Sequence, residues 1–154
     1  MNGKKVLDVG CGVGHLVDYL KAHGVGCSYL GIDALSEMVA AARSRHPHWT
    51  FQQRSLLEPA DQLETDYVLA SGLFTFCTHD EVEASIRTMF KVCGTAVAFN
   101  ALSTWATRQE PGEFYADPLA MVELCRTITP WVALRHDYLP HDFTIYMYKK
   151  AQPE

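Results

Sequence analysis

The sequence predicts an α/β fold: a seven-stranded, mostly parallel sheet with an antiparallel terminal strand and helices on both faces. Three observations predict it. Short apolar runs alternate along the chain with stretches of helical periodicity. The first apolar run, Lys5 to Val9, passes directly into a turn carrying Gly10, Gly12 and Gly14, after which an amphipathic stretch begins. The chain closes with two strand-like runs joined by a short polar turn, which makes them an antiparallel hairpin. With 154 residues the chain is long enough for one domain, 1–154, and too short for two.

Each element has a local reason. The continuous apolar run Lys5–Val9 suits a central strand buried on both faces. Leu16, Val17, Tyr19, Leu20 and Ala22 recur at helical spacing, and Gly24 stops that helix. Cys27 to Ile32 is the second strand and ends at Asp33. The helix that follows stops before His46-Pro47, because a residue before proline avoids helical dihedrals. Trp49–Gln53 is the third strand, and Glu58–Glu64 reads as a short polar stretch of one helical turn. Asp66–Gly72 is the fourth strand with its exit. Val82, Ile86, Met89 and Phe90 give the helix Glu81–Lys91 one apolar face, with His79 or Asp80 as its cap. Gly94 opens the fifth strand, Thr95–Asn100. The connection Ser103–Asp117 is long and reads either as a lid or as a packed surface loop. A helix over Leu119–Thr127 precedes the closing strands Trp131–His136 and Phe143–Tyr148.

Composition narrows the class. Hydrophobic content of 48% and charged content of 20% are ordinary for a soluble globular protein. No apolar run reaches membrane-helix length, and the N-terminus has no apolar signal core. Five dispersed cysteines without a C-x-x-C pair read as reduced thiols of a cytoplasmic protein, with neither a disulfide framework nor a metal site. A net charge of −5 argues against a nucleic-acid partner.

The glycine turn carries the chemistry. Glycine permits positive φ and leaves no Cβ in the way, so a ligand can lie against the backbone. The free N–H groups of the next helix's first turn face the same spot. Dinucleotide-binding turns read G-x-G-x-x-G. Here the spacing is G-x-G-x-G, and His15 occupies the slot of the last glycine. Asp8, two residues before Gly10, disfavours a pyrophosphate and favours a cationic amino-acid group. Asp33 stands at the end of the second strand, where a carboxylate accepts the hydroxyls of a nucleoside ribose. That acid serves nicotinamide and sulfonium cofactors alike. A turn that binds nothing, with Asp33 as a helix N-terminal acid, is the bland alternative.

Val6–Leu16 and Gly31–Arg43 closely resemble the first and second motifs of the class I S-adenosylmethionine-dependent methyltransferases, a Rossmann-like family. The resemblance runs from Val6 to Tyr148. It implies that Asp8, Gly10, Cys11, Gly12, Gly14 and His15 cradle the methionine part of S-adenosylmethionine (SAM). It implies that Asp33 holds the ribose and that Ala34 and Met38 lie near the adenine or ribose, although Met38 reads equally as core. Ser55 stands where the family usually has an acid for the adenine amino group, which leaves Leu56 as the better contact through its backbone N–H. Ala70, Ser71 and Gly72 match the fourth motif and would lie beside the sulfonium. The [D/N]-P-P-[Y/F] signature of many nucleic-acid amino methyltransferases is absent. The resemblance also implies helices ahead of the first strand, which here begins by Lys5. Either the chain starts late, or the Ser103–Asp117 loop or a second copy in a homo-oligomer closes the site.

Ligands of an open parallel sheet bind outside the carboxyl ends of its strands. Those ends are Gly10–Gly14, Asp33, Ser55–Leu56, Ser71–Gly72 and Asn100–Ser103, joined by Asp137–His141 if the sixth strand is parallel. The implied activity is methyl transfer to an oxygen or nitrogen of a small-molecule acceptor, with S-adenosylhomocysteine as product. A protein or RNA methyltransferase, or a non-catalytic SAM-binding module, is the competing reading. Candidate proton acceptors are His79, His136, Asp137 and His141, each of which also reads as a surface or capping residue. Phe74, Phe76, Trp105, Tyr115 and Tyr138 are candidates to line an acceptor pocket.

Overall fold

The computed structural model describes residues 2–58 and 64–152. In chain order the elements are β1 (Lys5–Val9), α1 (His15–Ala22), β2 (Ser28–Asp33), α2 (Ser36–Arg45), β3 (Thr50–Gln53), β4 (Thr65–Ala70), α3 (His79–Val92), β5 (Cys93–Ser103), β6 (Tyr115–Ala116), α4 (Pro118–Arg126), β7 (Val132–Leu139) and β8 (Asp142–Tyr148). The sheet runs β3-β2-β1-β4-β5-β8-β7, with two-residue β6 paired beside the end of β5. β1 to β5 pair in parallel, and β8 is antiparallel to both β5 and β7. β7 therefore runs with the parallel set, and its C-terminal end opens on the shared edge. The reversed strand is last in the chain but lies inside the sheet, with β7 at the rim.

Alternation along each strand builds two cores. Leu7, Val9, Val68, Val97 and Phe99, with Phe143, Ile145 and Met147, face α3 and α4, which contribute Val82, Ile86, Met89, Met121 and Cys125. On the opposite face Val6, Tyr29 and Phe51 meet Val17 and Leu20 of α1 and Val39 and Ala42 of α2. Burying one such large side chain contributes about 1.5–3 kcal/mol. The second core covers β1, β2 and β3 and reaches Tyr67 and Leu69 of β4. Among the described residues no helix lies over the same face of β4, β5 and β8, and a cavity opens there, bordered by Leu69, Ala98 and Thr144.

Local chemistry explains the corrections. Thr78, not His79 or Asp80, caps α3: its hydroxyl accepts the Glu81 N–H at 3.4 Å, and Glu81 Oε2 accepts the Thr78 N–H at 2.7 Å. This reciprocal box needs Thr and Glu three apart, a spacing that His79 and Asp80 lack. The Ser103–Asp117 connection is hydrogen-bonded at both ends, while residues 107–112 between them are exposed. The Thr104 N–H donates to the Ala116 carbonyl at 3.0 Å, and the Phe114 N–H to the Thr75 carbonyl at 2.8 Å. Asp117 closes it by capping α4 through the N–H groups of Leu119 and Ala120. The helical turn expected over Glu58–Glu64 falls largely on residues 59–63, outside the described residues.

Candidate functional site

The turn after β1 bends through three glycines in the left-handed region: Gly10 at φ 68°, Gly12 at 51° and Gly14 at 85°. Their surroundings differ. A Cβ on Gly14 would sit 2.7 Å from the His46 ring and 3.1 Å from Phe51, so this glycine lets α1 pack closely. A Cβ on Gly12 would meet nothing within 4 Å, so its backbone faces open space.

Asp33 is tied to this turn. Its Oδ2 accepts the Gly12 N–H at 2.9 Å, and its Oδ1 accepts the Leu35 N–H at 3.0 Å. Each carboxylate oxygen has two lone pairs, so both keep capacity for a further donor. Asp8 is nearly buried, at 5% exposure. Its Oδ2 accepts the Tyr29 hydroxyl at 2.7 Å. The contact depends on Gly31, where a Cβ would stand 2.8 Å from that hydroxyl and 2.7 Å from Phe51. Burial pushes the Asp8 carboxyl from 3.8 up to about 6; the Tyr29 bond pulls it down and the nearby Asp33 charge pushes it up. Burial above all, then the Asp8 charge, raises the Tyr29 phenol, which stays a donor.

Two cavities open at the C-terminal edge of the sheet, one on each face. One, of about 430 Å³, has Gly10, Asp33, Ala34, Ser55, Leu56 and Gly72 on its walls. The other, of about 400 Å³, opens on the uncovered half-face and includes Asp8, Ala70, Ser71, Asn100, Tyr138 and Asp142. Consecutive residues at the exits of β1 and β4 divide between them: Asp8 against Val9 and Gly10, Ser71 against Gly72. Strand order reverses between those two strands, which is where open α/β sheets bind ligands.

Nine of the fourteen residues assigned to the cofactor from sequence thus lie on cavity walls. Gly12 adjoins them through its bond to Asp33. Cys11, Gly14, His15 and Met38 do not line either cavity: the Cys11 thiol packs inward, Gly14 packs on His46, His15 starts α1 exposed, and Met38 lies on the outer side of α2. The Ser55 hydroxyl accepts the Leu57 N–H at 3.3 Å, a local turn contact. None of the four candidate proton acceptors reaches a cavity wall. His79 stacks edge-on against Phe114 at 4.9 Å. His136 lies between Trp105 and Phe143, with ring centroids at 5.0 and 6.1 Å. Asp137 pairs with Arg135 at 2.7 Å, and His141 sits in the exposed hairpin turn. Of the aromatic candidates only Tyr138 lines the second cavity; Phe74 is core and Phe76 is exposed.

Sequence reasoning missed a polar network on that cavity's far wall. Asn100 Oδ1 accepts the Gly72 N–H at 2.8 Å, which fixes the amide so that Nδ2 faces Asp142. Nδ2 donates to Asp142 Oδ2 at 3.0 Å and Oδ1 at 3.2 Å. The Tyr138 hydroxyl donates to Asp142 Oδ1 and lies 2.8 Å from Thr144 Oγ1. Burial, then Asp142, pushes the Tyr138 phenol up to about 12. One signal was available: Asp142 and Thr144 alternate with Phe143 and Ile145, so both polar side chains share a face of β8.

Known proteins are consistent with this geometry. A model of the methyltransferase domain family matches residues 6–95. A Mycobacterium tuberculosis (strain ATCC 25618 / H37Rv) protein, Rv1506c, named a methyltransferase by inference, is 35% identical over 160 residues, covering 94% of this chain and 92% of its own. The trans-aconitate 2-methyltransferase of Rhodopseudomonas palustris (strain BisB5) is 30% identical over 71 residues, 46% of this chain and 28% of that protein. A crystal structure of magnesium protoporphyrin IX methyltransferase from Synechocystis PCC 6803 with bound SAM shares the fold. It superposes with a TM-score of 0.76 at 15% identity, over 97% of this chain and 71% of its own.

Proposed function

The chain belongs to the methyltransferase domain family, and from that premise we propose that it transfers a methyl group from SAM to an oxygen or nitrogen of a small-molecule acceptor. The observation that carries this reading is the pair of cavities flanking the β1–β4 switch point, one on the Asp33 side and one on the Asp8 side. The residues present fit the cofactor. Cβ atoms added at Gly12 and at Gly72 would both project into open space, as a cradle for a ligand requires.

In this reading Asp33 accepts the ribose hydroxyls and Leu56 offers its backbone N–H to the adenine. Asp8 faces the ammonium group of the methionine part. Its raised pKa is what an unpaired buried carboxylate shows before a cation arrives. When bound, SAM supplies an electrophilic methyl carbon on a sulfonium sulfur. The protein's part is to place the acceptor in line with the departing sulfur and to exclude water. We place this activity in a single domain and in the cytoplasm, the latter because all five cysteines are free thiols. No helix among the described residues is long and apolar enough to cross a membrane.

Calorimetric titration of SAM tests the reading. Asp33→Ala is expected to weaken binding at least tenfold, because both ribose bonds are lost and the Gly12 N–H loses its acceptor. An unchanged dissociation constant would show that Asp33 does not hold the ribose. S-adenosylhomocysteine formation across amines, alcohols and carboxylic acids, trans-aconitate included, then tests turnover. SAM binding without turnover on any of them would favour a non-catalytic module.

A further inference from the structure

The second cavity has one sign of charge. Its walls are largely apolar, with Leu16, Leu69, Phe99 and Leu139, and its two ionisable carboxylates are Asp8 and Asp142. No Lys, Arg or His is on its walls. On the reading above, Asp8 is taken by the cofactor's ammonium group, which leaves Asp142. This residue is only 8% exposed, and its hydrogen bonds come from neutral donors, the Asn100 amide and the Tyr138 hydroxyl. None of the ion pairs among the described residues includes it. The guanidinium of Arg135, opposite Thr144 in the sheet, is engaged by Asp137 at 2.7 Å and is not on the cavity wall. A buried carboxylate without a cation is costly unless something completes it.

Building on the proposed methyl transfer, we propose that Asp142 selects the acceptor: it takes amines and alcohols, whose reacting atom carries a hydrogen, and rejects carboxylates. Three features place it for this. Asn100 ties Asp142 to the Gly72 N–H, and so to the β4 exit where Ala70 and Ser71 adjoin the cofactor cavity. Tyr138 holds one carboxylate oxygen from the hairpin side. Oδ2 carries a single bond from Asn100, so it retains a lone pair for the acceptor's N–H or O–H. An acceptor carboxylate would place a second negative charge against it inside apolar walls, with no cationic side chain on those walls to compensate.

The step balances. The acceptor's nitrogen or oxygen lone pair forms the new bond to the methyl carbon. The carbon–sulfur bond breaks, and its electron pair stays on sulfur as a neutral thioether. The acceptor's proton passes to Asp142 and from there to water. Asp142 thus serves as specificity-determining residue and proton acceptor.

Probes of matched shape test this without the natural acceptor. Benzylamine, benzyl alcohol and phenylacetate are titrated by NMR into protein saturated with S-adenosylhomocysteine. The amine and the alcohol are expected to bind at least tenfold more tightly than phenylacetate. Asp142→Asn is expected to remove that discrimination while leaving S-adenosylhomocysteine affinity unchanged, since Asp142 lies outside the cofactor contacts. Equal binding of the three probes, preference for phenylacetate, or no probe binding up to 10 mM would each overturn the proposal. So would discrimination that survives in Asp142→Asn. The wild-type comparison stands by itself if the variant fails to fold. Loss of S-adenosylhomocysteine binding in the wild type would sink the proposed function instead, and so separates the two failures.

Discussion

Replacing Asp8 by Asn should make the cofactor-free protein more stable at alkaline pH and less able to bind SAM. The side chain is 5% exposed, and its carboxyl is raised from 3.8 to about 6, chiefly by burial. That gap corresponds to about 3 kcal/mol held against the ionised form. Because the folded value lies above the unfolded one, the carboxyl's favourable contribution is complete below about pH 4 and is lost as pH rises through about 6. Asparagine carries no such charge, and its carbonyl can still accept the Tyr29 hydroxyl bond. Urea unfolding without cofactor should therefore show Asp8→Asn ahead of the wild type by about 1–3 kcal/mol at pH 8, with the advantage shrinking toward pH 4. Calorimetry should show weaker SAM binding by the same variant, since in the proposed reading the methionine ammonium loses its carboxylate. A variant less stable than wild type at pH 8, or an advantage independent of pH, would refute the claim that Asp8 is strained by burial. Such an exchange of stability for function is expected where a binding site holds an uncompensated charge.

Two other perturbations are direct. Gly12→Val should abolish SAM binding while circular dichroism still reports the folded sheet: the branched side chain would project into open space beside Asp33, at a φ of 51° that valine resists. Retained binding would place the cofactor elsewhere. His46, 2% exposed and 3.1 Å from the Lys21 ammonium through Nδ1, has its pKa lowered by burial first and by Lys21 second. Its folded value lies below the unfolded one of about 6.5, so its contribution is present above that pH and is lost as pH falls through the folded value. Between pH 7.5 and 5.5 the wild-type melting temperature should therefore drop more than that of His46→Gln, and parallel drops would contradict it.

What could be read in advance was local. The glycine turn, Asp33 and the strand–helix alternation depend on residues near one another in the chain, and all appear where expected. What escaped was pairing across distance. Asn100 and Asp142 are separated by 42 positions and meet only because β8 inserts between β5 and β7. Asp137 and His141 looked better placed than Asp142 because the sequence puts both in the turn, yet Asp137 lies in β7 with its side chain exposed, His141 sits in the exposed turn, and Asp142, the first residue of the returning strand, is buried. Tyr29 and Asp8 likewise meet across neighbouring strands, and only the missing side chain of Gly31 lets them touch.

The positions of the two acids suggest why a methyltransferase would tolerate both. Asp8 and Asp142 stand on opposite walls of one cavity, with Ala70 and Ser71 between the strands that carry them. A sulfonium loses its positive charge as the methyl leaves, and the acceptor atom gains it. In water that migration is stabilised about equally everywhere. Between apolar walls it is stabilised where fixed negative charge already stands. On the proposal that Asp142 receives the acceptor, a carboxylate held there by Asn100 and Tyr138 favours the transition state over the bound ground state. In the proposed reading the carboxylate at the Asp8 end faces an ammonium whose charge does not change, and so contributes to binding alone.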